Sequence, residues 1–131
     1  MGSNPQRKPR IVLVDDHPLV LAALGRMLRT YCDVVARVSS GCEAVEAVST
    51  LRPDVLVADL MMPDIDGLEV CRRVKRLAPE IAVVIITASD DSAIRAAALR
   101  DGASAFVPKH LAAETLGPTI ERVFAEILKL S

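Results

Sequence analysis

Aromatic side chains are nearly absent from this sequence of 131 residues, which has one tyrosine, two phenylalanines and no tryptophan. The core must therefore be built from aliphatic side chains, and the aromatic platforms on which nucleic-acid bases stack are excluded. No apolar run approaches the roughly 20 residues that a membrane-spanning helix needs. The polar N-terminus also lacks the apolar stretch of a signal peptide. A cytoplasmic protein without membrane association is therefore expected.

An excess of charge of either sign is missing as well, and so is metal-type cysteine spacing. The net charge is −1, which is typical of a globular domain and argues against nucleic-acid binding by this domain itself. Cys32, Cys42 and Cys71 are interpreted as small apolar residues in a reducing compartment, with a redox sensor as the alternative. The length predicts one domain over residues 8–131. Residues 1–7 are expected to be a disordered end or an expression remnant.

What the chain does contain is a regular alternation of apolar runs and segments of helical periodicity. The apolar runs predict strands at about 10–14, 33–38, 55–58, 81–86 and 104–107. The periodic segments predict five helices. The first spans about 18–30, the second follows a capping box at Ser40–Glu43, and the third starts at Asp66. The fourth starts at 90–92 and ends at Gly102, and the fifth spans 111–130. Such an alternation predicts an α/β fold, with helices on both faces of a parallel sheet. A flavodoxin-like doubly wound sheet of five strands in the order 2-1-3-4-5 fits this pattern.

Two of the predicted helices have features of their own. The third helix is expected to direct four side chains into the core: Leu68, Cys71, Val74 and Leu77. Its outer face is interpreted as solvated rather than as a nucleic-acid patch, although it carries Arg72, Arg73, Lys75 and Arg76. The fifth contains Gly117-Pro118, and proline disrupts a helix interior. This helix therefore either begins late, near Pro118, or has bent first turns.

Polar side chains follow four of the predicted strands. Asp15 and Asp16 come after the first strand, Asp59 after the third, Thr87 after the fourth and Lys109 after the fifth. The carboxyl ends of parallel strands share one edge of the sheet, where ligands of open α/β sheets bind. We therefore expect these side chains to converge there.

Three converging carboxylates repel one another, and such a cluster holds either a proton or a cation. Oxygen donors of this kind select a hard ion, and few protein ligands suit Mg²⁺ better than Ca²⁺. Lys109 adds a positive charge and Thr87 a hydroxyl donor. The set is suited to phosphoryl transfer onto Asp59, with the carboxylate as nucleophile. No Gly-rich Walker loop is present, so nucleotide binding is not implied.

The same residues lie in motifs that resemble the receiver domain of two-component response regulators, over nearly the whole chain. The motifs are Val14-Asp15-Asp16, Asp59-Leu60-Met61-Met62-Pro63 with Asp66-Gly67, Thr87-Ala88, and Pro108-Lys109. The resemblance implies that Asp59 accepts a phosphoryl group from a sensor histidine kinase. It also implies a Mg²⁺ ion held by Asp15, Asp16, Asp59 and the backbone carbonyl of Met61, with Thr87 and Lys109 contacting the phosphoryl oxygens.

The resemblance further implies a conformational switch rather than an enzyme, although such domains assist their own phosphorylation and dephosphorylation. Phe106 would follow the Thr87 hydroxyl inward, which is compatible with Phe106 being simply a core residue. The surface of helix 4, strand 5 and helix 5 would carry the output and could pair two copies of the chain. Met61 and Ser89 lie at positions that tune dephosphorylation in this family.

The segment from Asp15 to Val20 resembles receivers coupled to a LuxR-type helix-turn-helix domain. The expected output is therefore transcription, through a domain that this sequence does not contain. His17 is interpreted as a turn residue beside the acidic site, with a metal ligand or a second phosphoacceptor as alternatives. Two alternative functions are a phosphatase or phosphotransferase that uses Asp59 as a transient nucleophile, and a degenerate receiver that only binds a partner.

Overall fold

The computed structural model describes residues 7–88 and 91–130. Five strands and five α-helices alternate within them: β1 (Arg10–Val14), α1 (Pro18–Leu28), β2 (Asp33–Val38), α2 (Gly41–Leu51), β3 (Val55–Asp59), α3 (Gly67–Leu77), β4 (Ala82–Thr87), α4 (Ser92–Arg100), β5 (Ala105–Pro108) and α5 (Ala112–Leu130). A single 3₁₀ turn, Lys109–Leu111, joins β5 to α5. Apart from Arg7, the predicted terminal segment 1–7 lies outside the described residues.

The strands form one parallel sheet in the order β2-β1-β3-β4-β5, which confirms the predicted fold. Strands β3 and β4 are buried at every residue, because helices cover both faces of the sheet. Asp59 lies opposite Ile86, and Thr87 lies opposite Pro108. This register brings the carboxyl ends of β3, β4 and β5 to one edge of the sheet.

Two aliphatic clusters fill the space between the sheet and its helices. Val12 and Val14 face a cluster that includes α2, α3 and α4, while Ile11 and Leu13 face a second cluster that includes α1 and α5. Alternate residues of β1 thus serve opposite faces of the sheet, as the pleat requires. No helix in the described part of the chain is long and apolar enough to cross a membrane.

The helices depart from the predictions in detail. Helix α1 ends at Leu28, two residues before its predicted end. The prediction that Leu77 points inward is wrong, since this side chain is 44% exposed. The buried stripe of α3 runs through Val70, Cys71 and Val74 to Ala78, and Leu77 lies beside this stripe.

The basic face of α3 is largely paired within the domain. Arg72 contacts Glu69 at 2.8 Å and Asp101 at 2.7 Å, and Arg73 contacts Glu69 at 2.9 Å. Lys75 donates to two backbone carbonyls of the following turn. These cations therefore stabilise α3 and its contact with the end of α4, in line with the predicted solvated face.

Helix capping follows the sequence at several places. The Ser40 hydroxyl accepts a hydrogen bond from the Glu43 amide, as the predicted capping box requires. The Glu43 carboxylate, however, accepts from the Ser40 hydroxyl at 2.8 Å. Asp91 caps α4, whereas Asp90, which was also expected to open this helix, lies outside the described residues. Gly102 follows α4 with a φ of +101°, a conformation that favours glycine.

Gly117 and Pro118 lie inside α5, which begins at Ala112, so the alternative of a late start near Pro118 is wrong. The bend of the first turns stays a prediction. Gly117 is buried because the ring of Tyr31 lies against it, and a Cβ atom at this position would be 2.6 Å from Tyr31 Cε2. The glycine therefore allows the segment after α1 to pack directly on α5.

Replacing Gly117 by alanine is expected to lower the free energy of unfolding by about 1–3 kcal/mol, because the added methyl group overlaps the Tyr31 ring. Intrinsic helix propensity alone would act in the opposite direction, by roughly 1 kcal/mol. The sign of the effect should therefore reverse in a Tyr31→Ala background. Urea unfolding of the four proteins of this cycle would test it. An equal effect of the alanine in both backgrounds would show that the Tyr31 contact is not the reason for the glycine.

Candidate functional site

The carboxyl ends of β1, β3 and β5 bring three predicted site residues into direct contact. The ammonium Nζ of Lys109 lies 3.2 Å from Asp15 Oδ2 and 3.2 Å from Asp59 Oδ2. Asp59 is the last residue of β3, Asp15 follows β1, and Lys109 opens the turn after β5. One lysine therefore links carboxylates that are 44 positions apart in the sequence.

The floor of this site is closed to solvent. Among the described residues, the buried polar side chains are those of Asp15, Asp59 and Thr87, with exposures of 0%, 2% and 1%. Thr87 ends β4, beside Asp59 on the neighbouring strand. The side chains of Asp16 and Lys109 are only partly covered. The site thus has a buried floor, and its rim is partly exposed to solvent.

Burial and charge act together on the titration of this site. Burial raises the pKa of Asp59, the charge of Asp15 raises it further, and the ammonium of Lys109 offsets part of the rise. Partial burial lowers the pKa of Lys109, but the charges of Asp59 and Asp15 outweigh it and raise the pKa overall. Lys109 therefore stays positively charged beside the two carboxylates.

The acidic residues fit a divalent cation. Ligand atoms of Asp15, Asp16, His17 and Asp59 all lie within 4.8 Å of one another. Asp15 Oδ2 is buried and faces the Lys109 ammonium, whereas Asp16 Oδ1 is buried and accepts no hydrogen bond from the described residues. Buried carboxylate oxygens need a donor or a cation, and one lysine leaves two of the three carboxylates uncompensated. Oxygen donors of this number and charge suit a hard divalent ion such as Mg²⁺.

Sequence reasoning interpreted His17 as a turn residue and kept a metal ligand as an alternative, and the structure places its ring against the acidic pair. Its Nδ1 lies 3.0 Å from Asp16 Oδ1 and 3.2 Å from Asp15 Oδ1. Its backbone amide also donates to Asp15 Oδ1, at 2.9 Å. The sequence shows only that His17 directly follows Asp15 and Asp16, and this does not reveal whether its ring faces them or the solvent.

The loop after Asp59 is held by hydrogen bonds at its middle and between its first and last residues. Asp64 accepts hydrogen bonds from the backbone amides of Gly41 and Cys42, at 2.9 and 2.8 Å, at the start of α2. The Gly67 amide, at the start of α3, donates to the carbonyl of Leu60, the first residue of the loop, at 2.8 Å. The backbone that follows Asp59 is therefore tied to both α2 and α3.

Close packing against Asp59 explains the glycine that begins α3. A Cβ atom at Gly67 would lie 2.7 Å from the carbonyl oxygen of Asp59. Asp66 caps the same helix by accepting from the Glu69 amide at 2.9 Å. The Met61 side chain, in the loop between them, is exposed. Ser89, the other predicted tuning position, lies outside the described residues.

Comparisons with known proteins bear on this arrangement. The family model of the response regulator receiver domain matches residues 11–121. The chain belongs to this family. A receiver domain is a signalling domain of two-component systems rather than a catalytic enzyme in general.

Curated relatives of this receiver domain are longer proteins. It is 40% identical over 107 residues to the response regulator MprA of Mycobacterium ulcerans, covering 82% of this chain and 46% of the relative. The corresponding identity to MprA of Mycobacterium leprae is 41%, with 82% and 47% covered. The chain thus spans about half the length of the curated relatives it matches.

Solved structures show the same fold. A two-component response regulator of the LuxR family from Aurantimonas sp. SI85-9A1 is 32% identical, with a TM-score of 0.87 over 92% of this chain and 87% of that one. The signal receiver domain of the putative response regulator NarL from Mycobacterium tuberculosis is 29% identical, with a TM-score of 0.77 over 95% and 97% of the two chains.

Phe106, the aromatic residue predicted to act in switching, is buried in β5 of the receiver domain. The guanidinium of Arg95 in α4 lies 5.0 Å from the centre of its ring, a cation–π contact. The Arg95 side chain also donates to the Phe106 carbonyl at 3.4 Å. Sequence reasoning missed Arg95, because residues 11 positions apart on different elements show no shared pattern.

A cavity of about 730 Å³ lies elsewhere in the receiver domain. Its lining includes Arg7, Asp54, Lys75 and Arg122 and none of the strand-end residues described above. Asp54 precedes β3, so this cavity is at the opposite edge of the sheet from Asp59. This cavity and the Asp59 site are therefore separate features of the domain.

Replacing Asp64 by alanine is expected to lower the free energy of unfolding by about 1 kcal/mol, the usual cost of losing an acceptor at a helix N-terminus. The amide of Cys42 holds the pKa of Asp64 well below its usual range. Its stabilising contribution is therefore complete above pH ~4 and is lost as the pH falls through the folded-state pKa. Thermal unfolding of both proteins as a function of pH would measure this. A difference that grows towards low pH would contradict it.

Replacing Asp59 by asparagine is expected to raise the stability of the metal-free domain at neutral pH, because it removes a buried charge beside Asp15. The folded-state pKa of Asp59 lies above its unfolded value. The destabilisation by ionised Asp59 should therefore shrink as the pH falls through the folded pKa, and vanish below about pH 4. Urea unfolding in a chelator measures the difference. Lower stability of the asparagine variant at neutral pH would refute the expectation.

Proposed function

We propose that this receiver domain is a phosphorylation-driven switch in which Asp59 accepts a phosphoryl group from a sensor histidine kinase. The observation that carries the proposal is the position of Asp59. Its carboxylate is buried at the end of β3, with Lys109 Nζ at 3.2 Å and Asp15 beside it. A carboxylate needs such a neighbouring cation to approach a phosphoryl dianion, which carries the same sign of charge.

The proposed transfer is a direct displacement at phosphorus. An oxygen of the Asp59 carboxylate attacks the phosphorus of a phosphohistidine on the kinase. The new O–P bond forms as the P–N bond breaks, and the imidazole nitrogen leaves with the electron pair. Lys109 and the hydroxyl of Thr87 would stabilise the charge on the phosphoryl oxygens, and Lys109 is kept positively charged by its two carboxylate neighbours.

A Mg²⁺ ion is part of the proposal. Asp15, Asp16, Asp59 and the backbone carbonyl of Met61 would hold it, leaving positions for water and a phosphoryl oxygen. When bound, the ion would neutralise charge on the acceptor and on the transferred group. The support is the excess of negative charge at this buried site, where one lysine faces three carboxylates and Asp16 Oδ1 accepts no hydrogen bond from the described residues.

The switch would run through Thr87 and Phe106 to the surface formed by α4, β5 and α5. Phosphorylation draws the Thr87 hydroxyl towards Asp59, and the Phe106 ring moves inward into the space that is vacated. The ring lacks a hydroxyl group, so packing alone must drive this movement. Arg95 would lose its contact with the ring at the same step. Leu99 of α4 is half exposed and offers apolar area for pairing two copies of the chain.

The output we propose is transcription, controlled by a DNA-binding domain that is not part of this sequence. The support is the likeness to a two-component response regulator of the LuxR family, together with relatives about twice as long as this chain. The histidine kinase and the receiver domain would meet in the cytoplasm. The domain itself would bind no nucleic acid, since most of the basic run on α3 is engaged internally.

Incubation with acetyl phosphate and Mg²⁺ is expected to add one phosphoryl group per chain, detected by intact-mass spectrometry. Asp59→Asn should take up none, and a chelator should abolish uptake by the wild type. Asp54→Asn is a matched control, because Asp54 lies at the opposite end of the same strand and should not affect uptake.

Uptake of as much phosphoryl group by Asp59→Asn as by the wild type would contradict the proposal. Sustained turnover of a phosphoester, with release of phosphate over many cycles, would instead indicate an enzyme that acts on an external substrate.

A further inference from the structure

The ring of His17 faces the acidic cluster of Asp15, Asp16 and Asp59, although the side chain is partly exposed to solvent. Its Nδ1 lies 3.0 Å from Asp16 Oδ1 and 3.2 Å from Asp15 Oδ1. These separations match neighbouring ligands of an octahedral ion, which are about 3.0 Å apart when each bond is about 2.1 Å. The four candidate ligand atoms of this cluster lie within 4.8 Å of one another, so a single ion can reach all of them.

Hydrogen bonding accounts for only part of the arrangement. His17 Nδ1 is hydrogen-bonded to Asp15 Oδ1 at 3.2 Å, and Asp15 Oδ2 faces the Lys109 ammonium at 3.2 Å. Asp16 Oδ1 is also buried but accepts no hydrogen bond from the described residues, although His17 Nδ1 is within 3.0 Å of it. A ring nitrogen this close to a buried carboxylate oxygen that it does not hydrogen-bond is placed as a second ligand of one ion would be.

The helix does not require this histidine. His17 is the residue before α1, yet its side chain makes no capping hydrogen bond, and 64% of it is exposed. Serine, threonine, aspartate and asparagine are the residues that stabilise this position. Its ring therefore contributes little to α1 but contacts both carboxylates of the acidic pair.

We propose that His17 is a nitrogen ligand of the ion bound by Asp15, Asp16 and Asp59, and that it makes this site prefer first-row transition dications over Mg²⁺. The proposal rests on the acidic ion site of the proposed function and deepens it. Imidazole suits nickel, iron, copper and zinc, whereas Mg²⁺ is selected by oxygen ligands alone. The ion that occupies the site would then depend on which dications the cell supplies, and not only on Mg²⁺.

Titration calorimetry of the untagged domain with NiCl₂ and with MgCl₂ tests the proposal directly. Ni²⁺ is preferred to Zn²⁺ as the probe because Cys42 is an exposed free thiol. His17→Asn should lower the Ni²⁺ affinity by about tenfold or more, and leave the Mg²⁺ affinity nearly unchanged. Asparagine caps helices well, so the variant should fold, and thermal unfolding checks this. Asp16→Asn should weaken both ions.

The matched control is His110→Asn, which changes the exposed histidine after Lys109 and should leave both affinities unchanged. An unchanged ratio of Ni²⁺ to Mg²⁺ affinity in His17→Asn would overturn the inference, and so would an equal loss in His110→Asn. Those results would leave Mg²⁺ binding and the proposed phosphorylation untouched. Absence of binding by any dication would instead count against the ion site of the proposed function.

Discussion

The contact between Lys109 and two buried carboxylates is the interaction on which the site depends. Asp15 and Asp59 repel each other, and one ammonium at 3.2 Å from each makes their proximity tolerable. The parallel sheet, with β1 and β3 adjacent and β5 two strands away from β3, brings these three groups to one edge. The strand order therefore serves the charge balance of the site as well as the core.

Much of this arrangement could be predicted from the sequence, because it depends on local signals. Apolar runs marked the strands, their alternation with helices predicted a parallel sheet, and the order 2-1-3-4-5 is one that fits this alternation. The residues after the runs indicated Asp15, Asp59, Thr87 and Lys109. Contacts between distant elements carry no such signal. The stacking of Arg95 on Phe106 and the Tyr31 ring on Gly117 depend on side-chain directions that periodicity does not encode.

The errors occur where a local sequence signal disagrees with tertiary packing. Leu77 was placed inward by its spacing, but it is 44% exposed, whereas the next residue, Ala78, is buried. Pro118 suggested a late helix start, but α5 begins six residues earlier and continues through it. Tertiary packing over the length of α5, with Leu116, Ile120 and Val123 in the core, outweighs the local cost of the proline.

Gly67 has a consequence for how motion can spread through the domain. It allows α3 to begin in contact with the backbone carbonyl of Asp59, while Asp64 fastens the same loop to α2. These contacts join the end of β3 to the two helices α2 and α3 on one face of the sheet. On the β4 side, the Leu60 amide donates to the Ile86 carbonyl at 2.9 Å, so the residue after Asp59 is also tied to the neighbouring strand. A displacement of the backbone at Asp59 would therefore be transmitted to α2, α3 and β4 together.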